Sequence, residues 1–378
     1  MEPFIHLHVH TQYSLLDGQA SIDALIDKAQ KDGMNAIAVT DHGNMFGIKE
    51  FFNKVSKKNG KPLGAIKDLE KEQKALKGKE ALSTEEQARL QEIPSLIEAE
   101  KKKIFKPIIG CECYCARNGR HNKTAKEDRS GYHLIILAKN LKGYKNLIKM
   151  VSISWTEGFY GRPRIDHELL EKYHEDLIVC SACLGGEIPQ HIMHDRIDKA
   201  EESILWFKKL FGEDYYLEMQ RHETHDPNAD CTTYPKQQEV NKVLIELARK
   251  HNVKLIATND VHFVNQEDAE AHDRLICLST GKDLDDPTRM RYSKQEWMKT
   301  TAEMNAIFAD IPEALSNTLE IADKVDFYSI DSGPIMPTFA IPEDFGTEES
   351  YREKFSEQDL FEEFTRDENG NVVLSEED

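Results

Sequence analysis

Near the amino terminus the run His6-Leu7-His8-Val9-His10 alternates imidazole with aliphatic side chains. On a short strand over residues 4–10, the two-residue period sets His6, His8 and His10 on one face and turns Leu7 and Val9 toward a packed side. Imidazole binds zinc, manganese and iron well, and two ligands two residues apart can address one ion without bending the backbone. A surface strand that merely carries histidines is the plain alternative.

Further donors follow wherever strand-like segments end. Asp17 lies just beyond the histidine run, and His42 follows the apolar segment 35–40 in Thr40-Asp41-His42-Gly43-Asn44. In Lys106-Pro107-Ile108-Ile109-Gly110-Cys111-Glu112-Cys113-Tyr114-Cys115, alternation places the three cysteines on one face and Glu112 on the other, so they cannot all serve one site. Glu112 could bridge two ions or simply pair with a lysine. His133 belongs to the strand pattern 132–138, Cys183 follows the strand pattern 176–182, and Asp260 and His262 repeat the two-residue spacing after the pattern 254–258. Nine donors are enough for up to three divalent ions, zinc or manganese by ligand type. Clustered divalent ions suit phosphoester cleavage, because they acidify water, align it with phosphorus and stabilise the leaving oxygen. Arg164 and His222 are candidate substrate contacts. The basic stretch 117–129 reads as a solvated loop or as a cover over a phosphate-bearing substrate.

The elements that must position these donors are a series of β-α units. A helix starts at Ser21 and stops at Gly33, with Ile22, Leu25, Ile26 and Ala29 at helical spacing. About seven strand-like segments, mostly followed by helices, predict a parallel sheet, closed into a barrel rather than left open. Residues 66–104 break the pattern: they are rich in Lys, Glu, Leu and Ala, and Ser83-Thr84-Glu85-Glu86 reads as a capping box. This predicts an inserted, charged helical hairpin, either solvated or a docking arm. The expected domain spans residues 1–330, and the acidic stretch 331–378, with a turn at 367–371, reads as a linker or the start of another domain.

At 378 residues and 39% hydrophobic composition the chain can bury a large core. Its net charge of -19 argues against a free-standing nucleic-acid binder, since phosphates are held by clustered Lys and Arg. The seven cysteines lack zinc-ribbon spacing and read as reduced. Nothing near Met1 reads as a signal peptide, and no apolar run approaches the roughly 18 residues of a membrane span. The expected location is cytoplasmic, with no membrane partner.

Together the stretches 8–18 (HVHTQYSLLDG), 40–44 (TDHGN), 107–112 (PIIGCE), 158–166 (GFYGRPRID), 181–189 (SACLGGEIP) and 258–262 (TNDVH) resemble the polymerase and histidinol phosphatase (PHP) family, in the form found in bacterial replicative DNA polymerases. The resemblance implies a distorted seven-stranded α/β barrel with a trinuclear metal centre. It would group His8, His10, Glu112 and Asp260 around one ion, Glu112, His133 and Cys183 around a second, and Asp17, His42 and His262 around a third. Asp17 stands where some members use histidine. The implied activity is metal-dependent 3′–5′ exonuclease proofreading within a DNA-directed DNA polymerase, with DNA and replisome subunits such as the sliding clamp as partners. A non-catalytic, metal-stabilised module and a stand-alone phosphatase are the alternatives. No stretch here matches the paired aspartates of a polymerase palm.

Overall fold

Ser21 accepts a hydrogen bond from the Ala24 amide and so caps the first helix, whose buried stripe is Ile22, Leu25, Ile26 and Ala29. The computed structural model of the chain describes residues 1–79, 81–337 and 346–374; residues 338–345 and 375–378 of the expected tail lie outside the described residues. The chain divides into two compact units, Met1–Ile330 and Asp331–Asp378.

In the first unit the elements run α1 (Ile22–Lys31), β1 (Ala36–Val39), α2 (Ile48–Lys58), α3 (Gly60–Lys77), α4 (Thr84–Lys101), β2 (Lys106–Cys115), β3 (Tyr132–Ala138), α5 (Leu141–Thr156), β4 (Arg164–Ile165) and α6 (His167–Tyr173). They continue with β5 (Leu177–Cys180), α7 (Glu187–Met193), α8 (Ile197–Phe211), β6 (Tyr215–Met219), α9 (Thr233–His251), β7 (Lys254–Ala257), α10 (Ala269–Thr280), α11 (Thr301–Ile307) and α12 (Glu313–Lys324). The strands lie in the order β1-β2-β3-β5-β6-β7, with β4 pairing β2. All four residues of β1 and of β5 are buried, as expected of strands covered on both faces.

Residues 6–10 close the ring without forming a regular strand. On one side the Ala38 amide donates to the His6 carbonyl and the Thr40 amide to that of Val9; on the other, the His10 amide donates to Val261 and the Val261 amide to His8. The segment is therefore the stave between β1 and the residues after β7, and the result is a distorted α/β barrel.

The expectation of a parallel sheet needs correction at β3, which runs antiparallel to both β2 and β5. The chain between β2 and β3 holds only a four-residue 3-10 turn, Lys126–Arg129, and parallel neighbours would need a longer crossover. The reversal matters for the site. It puts His133, near the start of β3, opposite Tyr114 near the end of β2, so a residue expected at a strand's C-terminal end reaches the same mouth from an N-terminal end.

The charged insertion is a pair of helices, α3 and α4, beginning at Gly60 rather than at 66. The expected box is formed, with Ser83 accepting from the Glu86 amide and Glu86 from the Ser83 amide. At the base of the pair, the Asn59 side chain donates to the Phe105 carbonyl at 2.7 Å and accepts from the Phe105 amide at 2.9 Å. In the second unit, α13 (Glu348–Lys354) and α14 (Glu357–Thr365) start at capping boxes on Thr347 and Ser356, so this stretch is more ordered than a plain linker. The turn expected at 367–371 is present, closed by the Gly370 amide on the Asp367 carbonyl.

Candidate metal centre

Three histidines are oriented by what their Nδ1 atoms meet. His8 Nδ1 lies 2.7 Å from Glu218 Oε1, which also accepts from Thr258 and Gln220. His10 Nδ1 lies 2.9 Å from Ser14 Oγ, whose hydroxyl donates to Asp41. His262 Nδ1 lies 2.8 Å from the carbonyl of Asp260. In each case Nε2 is the nitrogen turned to the interior of the cluster, free to ligate once any proton on it is displaced, which is how carboxylates and carbonyls orient metal-ligating imidazoles. Beside His42, Gly43 sits at φ +60, and a Cβ there would come within 2.7 Å of Pro163; this turn into α2 needs glycine.

The Nε2 atoms converge with the carboxylates. His8 Nε2 is 3.1 Å from Asp260 Oδ1 and 3.5 Å from Glu112 Oε1, and His10 Nε2 is 3.3 Å from Asp260 Oδ1 and 3.4 Å from Glu112 Oε2. His133 Nδ1 lies 2.8 Å from Glu112 Oε1 and 3.5 Å from Cys183 Sγ. His42 Nε2 is 2.9 Å from Asp17 Oδ2, and His262 Nε2 is 3.8 Å from the same oxygen. Three donor groups each gather within 4.8 Å: His8 with His10 and Glu112, Glu112 with His133 and Cys183, and His10 with His42 and His262. Glu112 belongs to two of them. Asp260 Oδ1, Glu112 Oε2 and His42 Nδ1 are buried without a hydrogen bond of acceptable geometry, although the last two lie 2.5 Å apart. Buried donor atoms left this way, aimed at common points, fit divalent cations of the zinc and manganese class.

Burial disfavours charge throughout the cluster. Even so, Asp260, Glu218 and Glu112 hold His8 well above its ordinary pKa, while burial, with His42 and His262 beside it, pushes His10 down to about 3. Against the same burial, the surrounding histidines hold Glu112, Asp260 and Asp17 well below the carboxylate range. Burial raises the Cys183 thiol, and Glu112 adds to the effect. A cation here would displace protons from imidazole and thiol, so its affinity falls as pH falls.

A cavity of about 230 Å³ opens beside the cluster, lined by His42, His133, Cys183, Asp260 and His262 on one side and by Arg291, Tyr292 and Glu296 on another. His222 also lines it, but is buried and tied to Gln237 and the Asn259 carbonyl. Arg164 is not available to a substrate. It is fully buried and its guanidinium donates to the carbonyls of Gly158, Asn122, Asp128 and Arg120. Of the basic stretch, Arg120 is taken up by Asp166, Glu157 and Glu168. His6 lies apart from the cluster, with Nε2 on the Lys299 carbonyl. Sequence reasoning missed Glu218, Tyr292, whose hydroxyl donates to Asp17 at 2.8 Å, and Arg291, the sole lysine or arginine among the cavity's described lining residues, with its Nε unpartnered.

With this geometry in hand, residues 6–222 match the PHP domain family. The chain belongs to the PHP domain family. Relatives of this PHP chain include the DNA polymerase III subunit alpha of Borreliella burgdorferi, 43% identical over 362 residues, which covers 94% of the chain and 27% of the relative. The same-named proteins of Treponema pallidum and Aquifex aeolicus are 34% and 36% identical, covering 99% and 93% of the chain and 27% of each relative. The chain thus spans about a quarter of the length of these relatives. A crystal structure of a proposed metal-dependent phosphoesterase from Bifidobacterium adolescentis superposes with a TM-score of 0.34 at 12% identity, over 81% of this chain and 97% of that one. No helix among the described residues is long and apolar enough to cross a membrane.

Proposed function

We propose that this PHP domain is part of a bacterial replicative DNA polymerase III alpha subunit and that its metal centre hydrolyses phosphodiesters at a DNA 3′ end, as a proofreading 3′–5′ exonuclease. One observation carries the reading: nine donors from distant segments, His8, His10, Asp17, His42, Glu112, His133, Cys183, Asp260 and His262, converge in one cluster beside a cavity that five of them line, with buried donor atoms left unsatisfied among them. The names of the relatives support a replication context; on this reading DNA and replisome subunits such as the sliding clamp are the partners and the cytoplasm is the location. Nucleotide addition by the DNA-directed DNA polymerase falls to sequence that this quarter-length chain does not match.

His8, His10, Glu112 and Asp260 would hold one ion, Glu112, His133 and Cys183 a second, and Asp17, His42 and His262 a third. When bound, such ions lower the pKa of water and neutralise charge on a phosphate and its leaving oxygen. The chain's own groups do the rest. Arg291 offers an uncompensated guanidinium to a phosphate oxygen in the cavity. Tyr292, kept protonated by burial and by Asp17, donates to Asp17 and fixes the carboxylate facing His42. Glu218 and Ser14 keep His8 and His10 in the ligating tautomer.

The test uses the full-length polymerase and a 5′-labelled primer annealed to a template, without nucleotides. The expected result is stepwise shortening of the primer that a chelator stops and that His10→Ala abolishes. A His10→Ala protein as active as the parent refutes the reading. Full burial of His8, His10 and Glu112 favours a second reading, in which the ions only stabilise the domain. In that case chelation lowers Tm while no phosphoester is ever cleaved.

A further inference from the structure

The three cysteines of β2 face away from Glu112, and the metal centre uses none of them. We propose that the last, Cys115, forms with His167 and Glu187 a separate site for one zinc-class divalent ion. It is the only such donor group among the described residues that shares no residue with the cluster around Glu112.

The three ligand atoms lie within 4.8 Å of one another. His167 Nε2 and Glu187 Oε2 are 3.3 Å apart, long for a charge-assisted hydrogen bond, which closes to about 2.7–2.9 Å. That separation matches the edge of a tetrahedron whose zinc–nitrogen and zinc–oxygen bonds are about 2.0–2.1 Å, which is about 3.3 Å. Both side chains are held in place from behind. Ser203 donates to the other oxygen of Glu187, Oε1, at 2.5 Å, leaving Oε2 to face His167, and the His167 ring stacks on Trp206 at 3.9 Å between centroids. Supports of this kind orient first ligands around a metal.

The surroundings suit a cation with an open position. A cavity of about 300 Å³ adjoins the group and gives water access to a fourth coordination site. Its charged lining consists of Asp166, Glu168 and Glu187 against Arg117, and Arg120 is spent on Asp166 and Glu168. One thiolate, one imidazole and one carboxylate select zinc or cobalt over magnesium or calcium. Binding forms the sulfur–metal bond as the thiol gives its proton to water, so uptake releases a proton. The ion would tie the end of β2 to the first residues of α6 and α7, a structural pin independent of the chemistry at Glu112.

Cobalt and zinc test this on the full chain, freed of metal and then reloaded. In a Cys183→Ser background, which removes the thiol of the main cluster, cobalt should still give the near-ultraviolet thiolate-to-cobalt absorption. That band should vanish in Cys183→Ser/Cys115→Ser and in Cys183→Ser/His167→Ala. Elemental analysis should find one zinc fewer per chain in Cys115→Ser and in His167→Ala than in the parent. His167 is partly exposed, so its variant decides the matter should Cys115→Ser fail to fold. Absence of the band in Cys183→Ser, or equal zinc in the parent and His167→Ala, overturns the proposal.

Discussion

Glu218 does not line the cavity beside the cluster, yet it sets which nitrogen His8 presents to the other donors. Glu218→Gln should keep the fold and lower metal affinity about 10- to 100-fold, read by competition with a chelator of known strength. Arg291→Ala should leave metal content unchanged and lower kcat/KM on a DNA 3′ end roughly 10- to 100-fold, the equivalent of one charge-assisted hydrogen bond at ~1.5–3 kcal/mol; unchanged kcat/KM would remove Arg291 from phosphate binding. Lys299 makes a third test. Burial lowers its pKa from the ordinary 10.5 to about 7, so folding expels a proton between those values. The stability from the neutral amine is complete above the unfolded pKa and drains away as pH falls through about 7. The Tm gap between Lys299→Met and the parent should therefore narrow as pH rises from about 7 to about 10, whereas a constant gap contradicts this. At this scale the sequence was legible where spacing is local: His8 and His10, or Asp260 and His262, declare themselves two residues apart. Glu218, Tyr292 and Arg291 do not, because their meaning arises only when β6 and the chain after α10 meet the first stave. Arg164 misled for the opposite reason, since an arginine between a proline and an isoleucine gives no sign of the four carbonyls that enclose it.

The inserted helices behave as a unit attached at one point. Because Asn59 and Phe105 bond each other in both directions, the ends of the excursion already lie together. Replacing residues 60–104 with a short glycine-rich turn should leave metal stoichiometry intact and shift Tm by only a few degrees. Loss of bound metal would show that the hairpin supports the site. Composition revealed this hairpin, as Lys, Glu and Leu replaced the apolar runs of the barrel, but its start was harder to read because α2 passes into α3 with only Asn59 between them. The direction of β3 was not readable at all. An alternating strand looks the same run either way, and only the lack of a crossover helix before Tyr132 hinted at the reversal that brings His133 to Glu112.

Across the whole molecule, the barrel joins a strongly acidic surface to a cluster of buried histidines and carboxylates. A net charge of -19 makes long-range attraction of DNA weak, so on the proposed reading a nucleic-acid end would be delivered to the cavity by other basic surfaces, with Arg291 acting only at the last few ångströms. Closure of the ring has a consequence for how the protein comes into being. The stave that carries His8 and His10 is made before all of its partners: it is flanked by β1 on one side and by Val261 on the other, and the Ile5 amide is held by Thr318 of α12. During vectorial synthesis the earliest histidines must wait, unpaired on one side, until His262 has left the ribosome. The proposed ions that need Asp260 or His262 could then be captured only after this long-range pairing is complete, and a nascent chain stalled before β7 would hold its first imidazoles exposed to whatever metal the cell offers.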